Sequence, residues 1–221
     1  CDLVLEENAR SGEQEKKLYL MFDQMYWHLT FGKIEHYNPV SFRPAMRDYT
    51  IFIDAISKIF AATGVRVGWS MGPATVINKM KAILTHIGAW EPMAEQKAVA
   101  YYLGRKDDIK KFLVHFKNEL EERLTRIYKG FMSMKENGLH VDAFAPEAGI
   151  YLPIKIDLVG KKTVEGKTLE TQSDVTAYIL NEAKLAVVPF YAFGSPRSSA
   201  WYRLSVGTCK KDQIDEMLLK L

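Results

Sequence analysis

Two unbroken, mostly apolar runs of strand length, each closed by an aspartate, set the strongest limit on how this chain folds. Residues 18–22 read Leu-Tyr-Leu-Met-Phe before Asp23, and residues 49–53 read Tyr-Thr-Ile-Phe-Ile before Asp54. A strand with one wet face alternates apolar and polar residues. A continuous apolar strand suits a sheet buried on both faces, as in α/β proteins. Ligand sites in such sheets lie just outside the carboxyl ends of the strands. Asp23 and the residues that follow Asp54 are therefore where chemistry is expected. A shorter third candidate strand covers residues 65–71 and is interrupted by Gly68.

The next two segments read as helices, at 74–87 and 93–103. Val76, Ile77, Met80, Ile83 and Leu84 share one face of the first. Residues 107–134 then carry Ile109, Phe112, Leu113, Phe116, Leu120, Leu124, Ile127, Tyr128 and Phe131. Spacings of three and four predict one long amphipathic helix able to bridge two domains. Beyond Gly138, short strands at 140–144, 150–156, 185–188 and 201–206 alternate with helices at 172–184 and 211–221. The polar, glycine-bearing stretch 159–167 reads as an exposed loop. This pattern predicts a boundary near the start of the long helix, with domains at 1–104 and 105–221. The first ten residues read as the back half of an amphipathic helix, so the chain reads as starting partway through an element.

Composition narrows the function classes. The 221 residues are 48% hydrophobic and 26% charged, ordinary for a globular protein. Thirty basic and 27 acidic residues are well mixed, and a net charge of +3 gives no argument for nucleic acid or an anionic membrane as partner. No apolar run approaches the roughly 18 residues that span a bilayer. No basic-then-apolar leader is legible, and a reducing cytoplasm is the expected compartment. Cys1 and Cys209 suggest no disulfide framework, and the five histidines lack metal-ligand spacing, so no metal is expected.

Chemistry gathers around Lys58. It follows the second apolar run, in Asp54-Ala-Ile-Ser-Lys-Ile-Phe-Ala-Ala-Thr-Gly-Val-Arg-Val-Gly68, with Arg66 bracketed by Gly64 and Gly68. A free lysine amine, with a pKa of about 10.4, is a poor nucleophile at neutral pH. In an apolar setting it can be desolvated and can hold a carbonyl cofactor as an imine. Asp23-Gln-Met-Tyr26 follows the first run, and Trp201-Tyr-Arg-Leu-Ser-Val-Gly207 lies near the C-terminus.

In that order, these segments resemble the motifs of class I/II pyridoxal-phosphate-dependent aminotransferases of the aspartate aminotransferase superfamily. The family pattern is D-x-x-Y, then S-x-S-K with G-x-R-x-G, then a terminal [YF]-x-R-[LI]-S strand. Ala55 stands where the family often carries a phosphate-binding serine or threonine. The resemblance implies pyridoxal 5′-phosphate as cofactor, held by Lys58 as a Schiff base. It implies Asp23 on the ring nitrogen, Tyr26 on the phenolic oxygen, Arg66 on the phosphate and Arg203 on the substrate carboxylate. The implied fold is α/β: the C-terminal half of the large cofactor-binding α/β/α domain, followed by a small α+β domain. The implied reaction passes an amino group from an L-amino acid, aspartate or aromatic, to a 2-oxo acid, in a homodimer when full-length.

In this family the lysine lies past the middle of a longer chain. Its place at position 58 implies a C-terminal part that lacks the first strands, the glycine-rich turn, the ring-stacking aromatic and the N-P-x-G segment. Asn38-Pro39 follows Asp23 and so is not that segment. Such a part is expected to bind cofactor poorly and not to turn over. A C–S β-lyase of the same fold and a non-enzymatic cofactor-binding regulator share these motifs and remain alternatives.

Overall fold

The two apolar runs pair with each other. In the computed structural model, which describes residues 1–12 and 16–221, β1 (Leu20–Asp23) and β2 (Thr50–Ala55) run parallel, with Leu20 opposite Thr50 and Asp23 opposite Ile53. The shorter third candidate becomes β3 (Gly68–Met71), antiparallel to β2, which completes a three-stranded sheet in the order β1-β2-β3. Gly68 sits where a Cβ would lie 3.1 Å from both the Ala55 Cβ and the Asp54 carbonyl oxygen. That close approach favours glycine.

The chain divides into two compact units, Cys1–Val114 and His115–Leu221. The division falls inside one continuous helix, α6 (Lys106–Glu136).

In the first unit, α1 (Asp2–Arg10) ends where the Lys17 amine donates to the carbonyls of Asn8, Ser11 and Gly12 at 2.9–3.3 Å. This cation satisfies carbonyls that a helix C-terminus leaves without partners. The buried Asn8 side chain pairs with both backbone groups of Leu18 and ties α1 to the approach of β1. A short helix α2 (Pro39–Phe42) with an Asn38 capping box and a 3-10 turn (Pro44–Asp48) lead into β2.

Directly after β2 comes α3 (Ile56–Ile59), which buries Ile56 and Ile59. Ile56 packs with Val67 and Val99, and Phe60, Val65 and Trp69 close around them. The predicted helices appear as α4 (Ala74–Ile87) and α5 (Met93–Leu103), each entered from a proline, Pro73 or Pro92. Gly88 stops α4 in the left-handed conformation at φ 65°, where a side chain would be strained.

One expectation needs correction. The sheet is not buried on both faces: burial alternates along β1, and Met21 and Met71 are 67% and 50% exposed. No side chain of α4 is fully buried either. An apolar run marks residues able to sit in a core, but covering both faces takes packing elements that the described residues of this unit do not supply.

In the second unit the rest of α6 buries Leu120, Leu124, Ile127 and Phe131 along one stripe. These face a core with an antiparallel sheet in the order β4 (Val141–Ala143), β5 (Tyr151–Ile156), β7 (Trp201–Ser205), β6 (Val188–Pro189). Period-two alternation buries Leu152, Ile154, Ile156, Tyr202 and Leu204 on one face. Tyr151, Pro153, Trp201 and Arg203 take the other. The strand expected at 185–188 shrinks to Val188–Pro189, which leads directly into a 3-10 turn (Phe190–Phe193).

Two further helices complete the unit, α7 (Gln172–Glu182) and α8 (Lys211–Lys220). Lys211 bridges Glu119 and Glu122 at 2.8 and 2.5 Å, and Arg126 pairs with Asp215, so α8 is tied to α6 by charge as well as packing. The expected loop at 159–167 is a small hairpin, closed by a Lys162–Thr168 bridge and carrying Val164 at 98% exposure. Among the described residues no helix is long and apolar enough to cross a membrane.

Tyr202 is fully buried and its hydroxyl donates to Gln172 Oε1 at 2.7 Å. Tyr202→Phe leaves the buried amide oxygen unpaired and is expected to cost about 1–3 kcal/mol in urea unfolding. Adding Gln172→Leu removes the orphaned group, so the double variant is expected to recover part of that loss.

Candidate active site

Parallel pairing brings the strand ends to one edge of the first sheet. Asp23 is the last residue of β1, and β2 ends at Ala55, two residues past the partner of Asp23. Lys58 then rides on α3, the single turn of helix that begins as β2 stops. The Asp23 carboxylate is exposed and accepts a hydrogen bond from the Met25 amide at 3.1 Å. Tyr26, half-buried, sits in the turn that follows. The Lys58 side chain is half-buried, and its amine makes no hydrogen bond or ion pair among the described residues.

Arg66 enters the same region through the loop that closes back on β2. The Ile56 amide donates to the Val67 carbonyl at 3.3 Å, and Gly68 pairs with Ala55. Arg66 itself has φ 60°, a left-handed conformation unusual for a side-chain-bearing residue. Its guanidinium donates to the Thr63 carbonyl at 2.9 Å and is otherwise exposed, with no carboxylate partner among the described residues. A cleft of about 570 Å3 opens nearby, lined by Met25, Ser57, Arg66, Trp69, Met80 and Lys81 among others. Neither Asp23 nor Lys58 lines it.

Sequence reasoning passed over Asp54. This carboxylate, 4% exposed, accepts from Trp27 Nε1 at 3.0 Å and from the Ala55 amide at 2.8 Å. It pins the turn carrying Tyr26 to the end of β2. Burial is the main cause pushing its carboxyl above the usual carboxylate range. Bonds from Ala55, Trp27 and Gln24 pull it back, and the nearby Asp23 charge adds to the rise. An aspartate at the end of an apolar run gives no sign in sequence that an indole will find it.

Arg203 stands on β7 in the second unit, flanked by Pro153 of β5 and Val188 of β6. Its guanidinium carbon lies 4.3 Å from the centre of the Tyr151 ring and 4.5 Å from that of Phe193. No carboxylate among the described residues pairs with it. The structure thus groups Asp23, Tyr26, Lys58 and Arg66 in one unit and sets Arg203 in the other.

Charges without counter-ions among the described residues fit the cofactor that the motifs imply. An aldehyde needs a free amine, a pyridinium nitrogen needs an anion, and a phosphate needs a guanidinium. Lys58, Asp23 and Arg66 present those three groups.

Comparison with known proteins gives the family. The family "Aminotransferase class I and II" matches residues 12–221. The chain belongs to that family. It is 28% identical over 210 residues to a probable aspartate/prephenate aminotransferase of Rickettsia typhi, covering 94% of this chain and 50% of that protein. The crystal structure of the aspartate aminotransferase from Rhizobium meliloti superposes with a TM-score of 0.76 at 28% identity, over 91% of this chain and 48% of that one. An aromatic aminotransferase from Pyrococcus horikoshii shares the fold at 23% identity and a TM-score of 0.80, over 99% and 52% of the two chains. The chain therefore spans about half the length of the relatives it matches.

Two expectations follow. Alanine at position 66 keeps the left-handed strain and glycine relieves it, so Arg66→Gly is expected to be more stable than Arg66→Ala by about 1 kcal/mol in urea unfolding. The raised Asp54 value means that its contribution is fully present below the unfolded aspartate value of 3.8 and is lost as pH rises through the folded one. Asp54→Asn removes the buried charge but keeps only one of the two acceptor oxygens that Trp27 and the Ala55 amide use. Its melting temperature relative to the wild type is expected to rise from pH 4 to pH 7.

Proposed function

We propose that the protein to which these residues belong is a pyridoxal-phosphate-dependent aminotransferase that passes an amino group from an L-amino acid to a 2-oxo acid. The observation that carries this reading is the half-buried Lys58 amine, without a partner among the described residues, at the strand edge that also presents Asp23. Aspartate is the favoured amino donor, because relatives at 28% identity are named as aspartate and aspartate/prephenate aminotransferases.

Pyridoxal phosphate, when bound, supplies an aldehyde that exchanges amino groups and a ring that accepts an electron pair from the substrate. The Lys58 amine holds the aldehyde carbon. With the substrate bound, the same amine would serve as the base that takes up the proton from the substrate Cα and as the acid that gives it back. Asp23 keeps the proton on the ring nitrogen, since a carboxylate beside an N–H favours the charged form. Tyr26 donates to the ring's phenolic oxygen and Arg66 grips the phosphate. Arg203 binds the substrate α-carboxylate as a two-pronged donor.

Borohydride reduction of the chain in millimolar pyridoxal phosphate, followed by peptide mass analysis, is expected to label Lys58. A label spread over surface lysines, with Lys58 unmodified, would sink the assignment. The 221-residue chain alone is expected to show no transamination of aspartate with 2-oxoglutarate, because it spans about half the length of the enzymes it matches. Measurable turnover by the purified chain would overturn that part.

A further inference from the structure

The proposed carboxylate reader, Arg203, lacks what usually holds an arginine in place. A guanidinium half-buried on a sheet is ordinarily fixed by an acidic neighbour or by backbone carbonyls. Here no described residue accepts a hydrogen bond from it, and two aromatic rings take that place. The reason lies in the register. Pro153 pairs with Arg203 and Tyr151 pairs with Ser205, so Tyr151 is the diagonal neighbour of Arg203 on the same face of the sheet. Phe193 closes the 3-10 turn that follows β6, and Gly194, left-handed at φ 93°, turns the chain away directly after it. Phe193 is 55% exposed and meets Phe190 edge-on at 6.5 Å.

We propose that Tyr151 and Phe193 are positioning residues that hold the Arg203 guanidinium over their ring faces and so keep its N–H groups available to a carboxylate. This rests on Arg203 being the carboxylate-binding residue. Ring faces attract a cation at these distances, yet they offer no lone pair that would consume its N–H donors. An acidic neighbour would hold the arginine as firmly but would compete with the incoming carboxylate for the same donors. Aromatic rings restrict the side chain before ligand arrives, which lowers the ordering cost of binding.

The test uses the whole 221-residue chain with 2-oxoglutarate as probe. It reads the affinity by titration and the Arg203 Nε–H signal by NMR. In the wild type that signal is expected upfield of the other arginines, displaced by the rings above and beside it. Phe193→Leu and Tyr151→Leu are each expected to reduce the displacement and to weaken 2-oxoglutarate binding roughly 5- to 10-fold. Phe193→Tyr and Tyr151→Phe keep a ring face and are expected to bind like the wild type. Unfolding curves of the leucine variants should stay close to the wild type at Phe193, so lost affinity there is not lost fold. Leucine variants that bind 2-oxoglutarate as tightly as the wild type would overturn the positioning role. If Arg203→Lys also binds like the wild type, the carboxylate role of Arg203 falls first and the positioning role with it.

Discussion

The parallel pairing of β1 with β2 is the contact on which the placement of the candidate groups in the first unit depends. Only a parallel register ends both strands at the same edge, with Asp23 opposite Ile53 and the chain then rising into the turn that carries Lys58. An antiparallel pair would send the anion and the amine to opposite ends of the sheet. The pairing is reinforced where it matters most: the Trp27 indole donates to Asp54 across the two strand ends. Keeping that carboxylate buried has an electrostatic cost, which the indole and the Ala55 amide partly offset.

The second unit solves a different problem with a simpler device. Strict alternation along β5 and β7 gives one face to the core and leaves the other for Arg203 and its rings. The buried face is aliphatic except for Tyr202, whose hydroxyl finds Gln172. The open face is where polar and aromatic groups meet. A single residue slip in register would carry Arg203 into the core and Leu204 into solvent, so the same pattern that builds the core fixes the arginine.

Much of this was legible in the residues. Helices α4 and α5 were bounded by prolines before and, for α4, a left-handed glycine after, so their ends were written in local chemistry. The stripe of Leu120, Leu124, Ile127 and Phe131 announced α6 by spacing alone. Lys58, Asp23, Arg66 and Arg203 stood out as candidates because each belongs to an ordered motif. What stayed hidden depends on distance along the chain. Asp54 meets an indole 27 residues away, and Phe193 reaches Arg203 only once β6 and β7 are paired. The left-handed backbone of Arg66 was equally invisible, because an arginine gives no hint of positive φ. The exposed faces of β1 and α4 misled for the opposite reason: apolar character says what a residue tolerates, not what covers it.

The small hairpin after β5 offers a handle of another kind. It is closed by its own bridge and by hydrogen bonds between Thr163 and Lys167, and Val164 projects from it almost wholly into solvent. Its backbone needs are met locally, so the sheet behind it does not depend on what the tip carries. Peptide tags and reporter labels are best tolerated at sites of this kind. The hairpin tip is thus a place to follow this protein by light or by affinity capture while both charged clusters stay as they are.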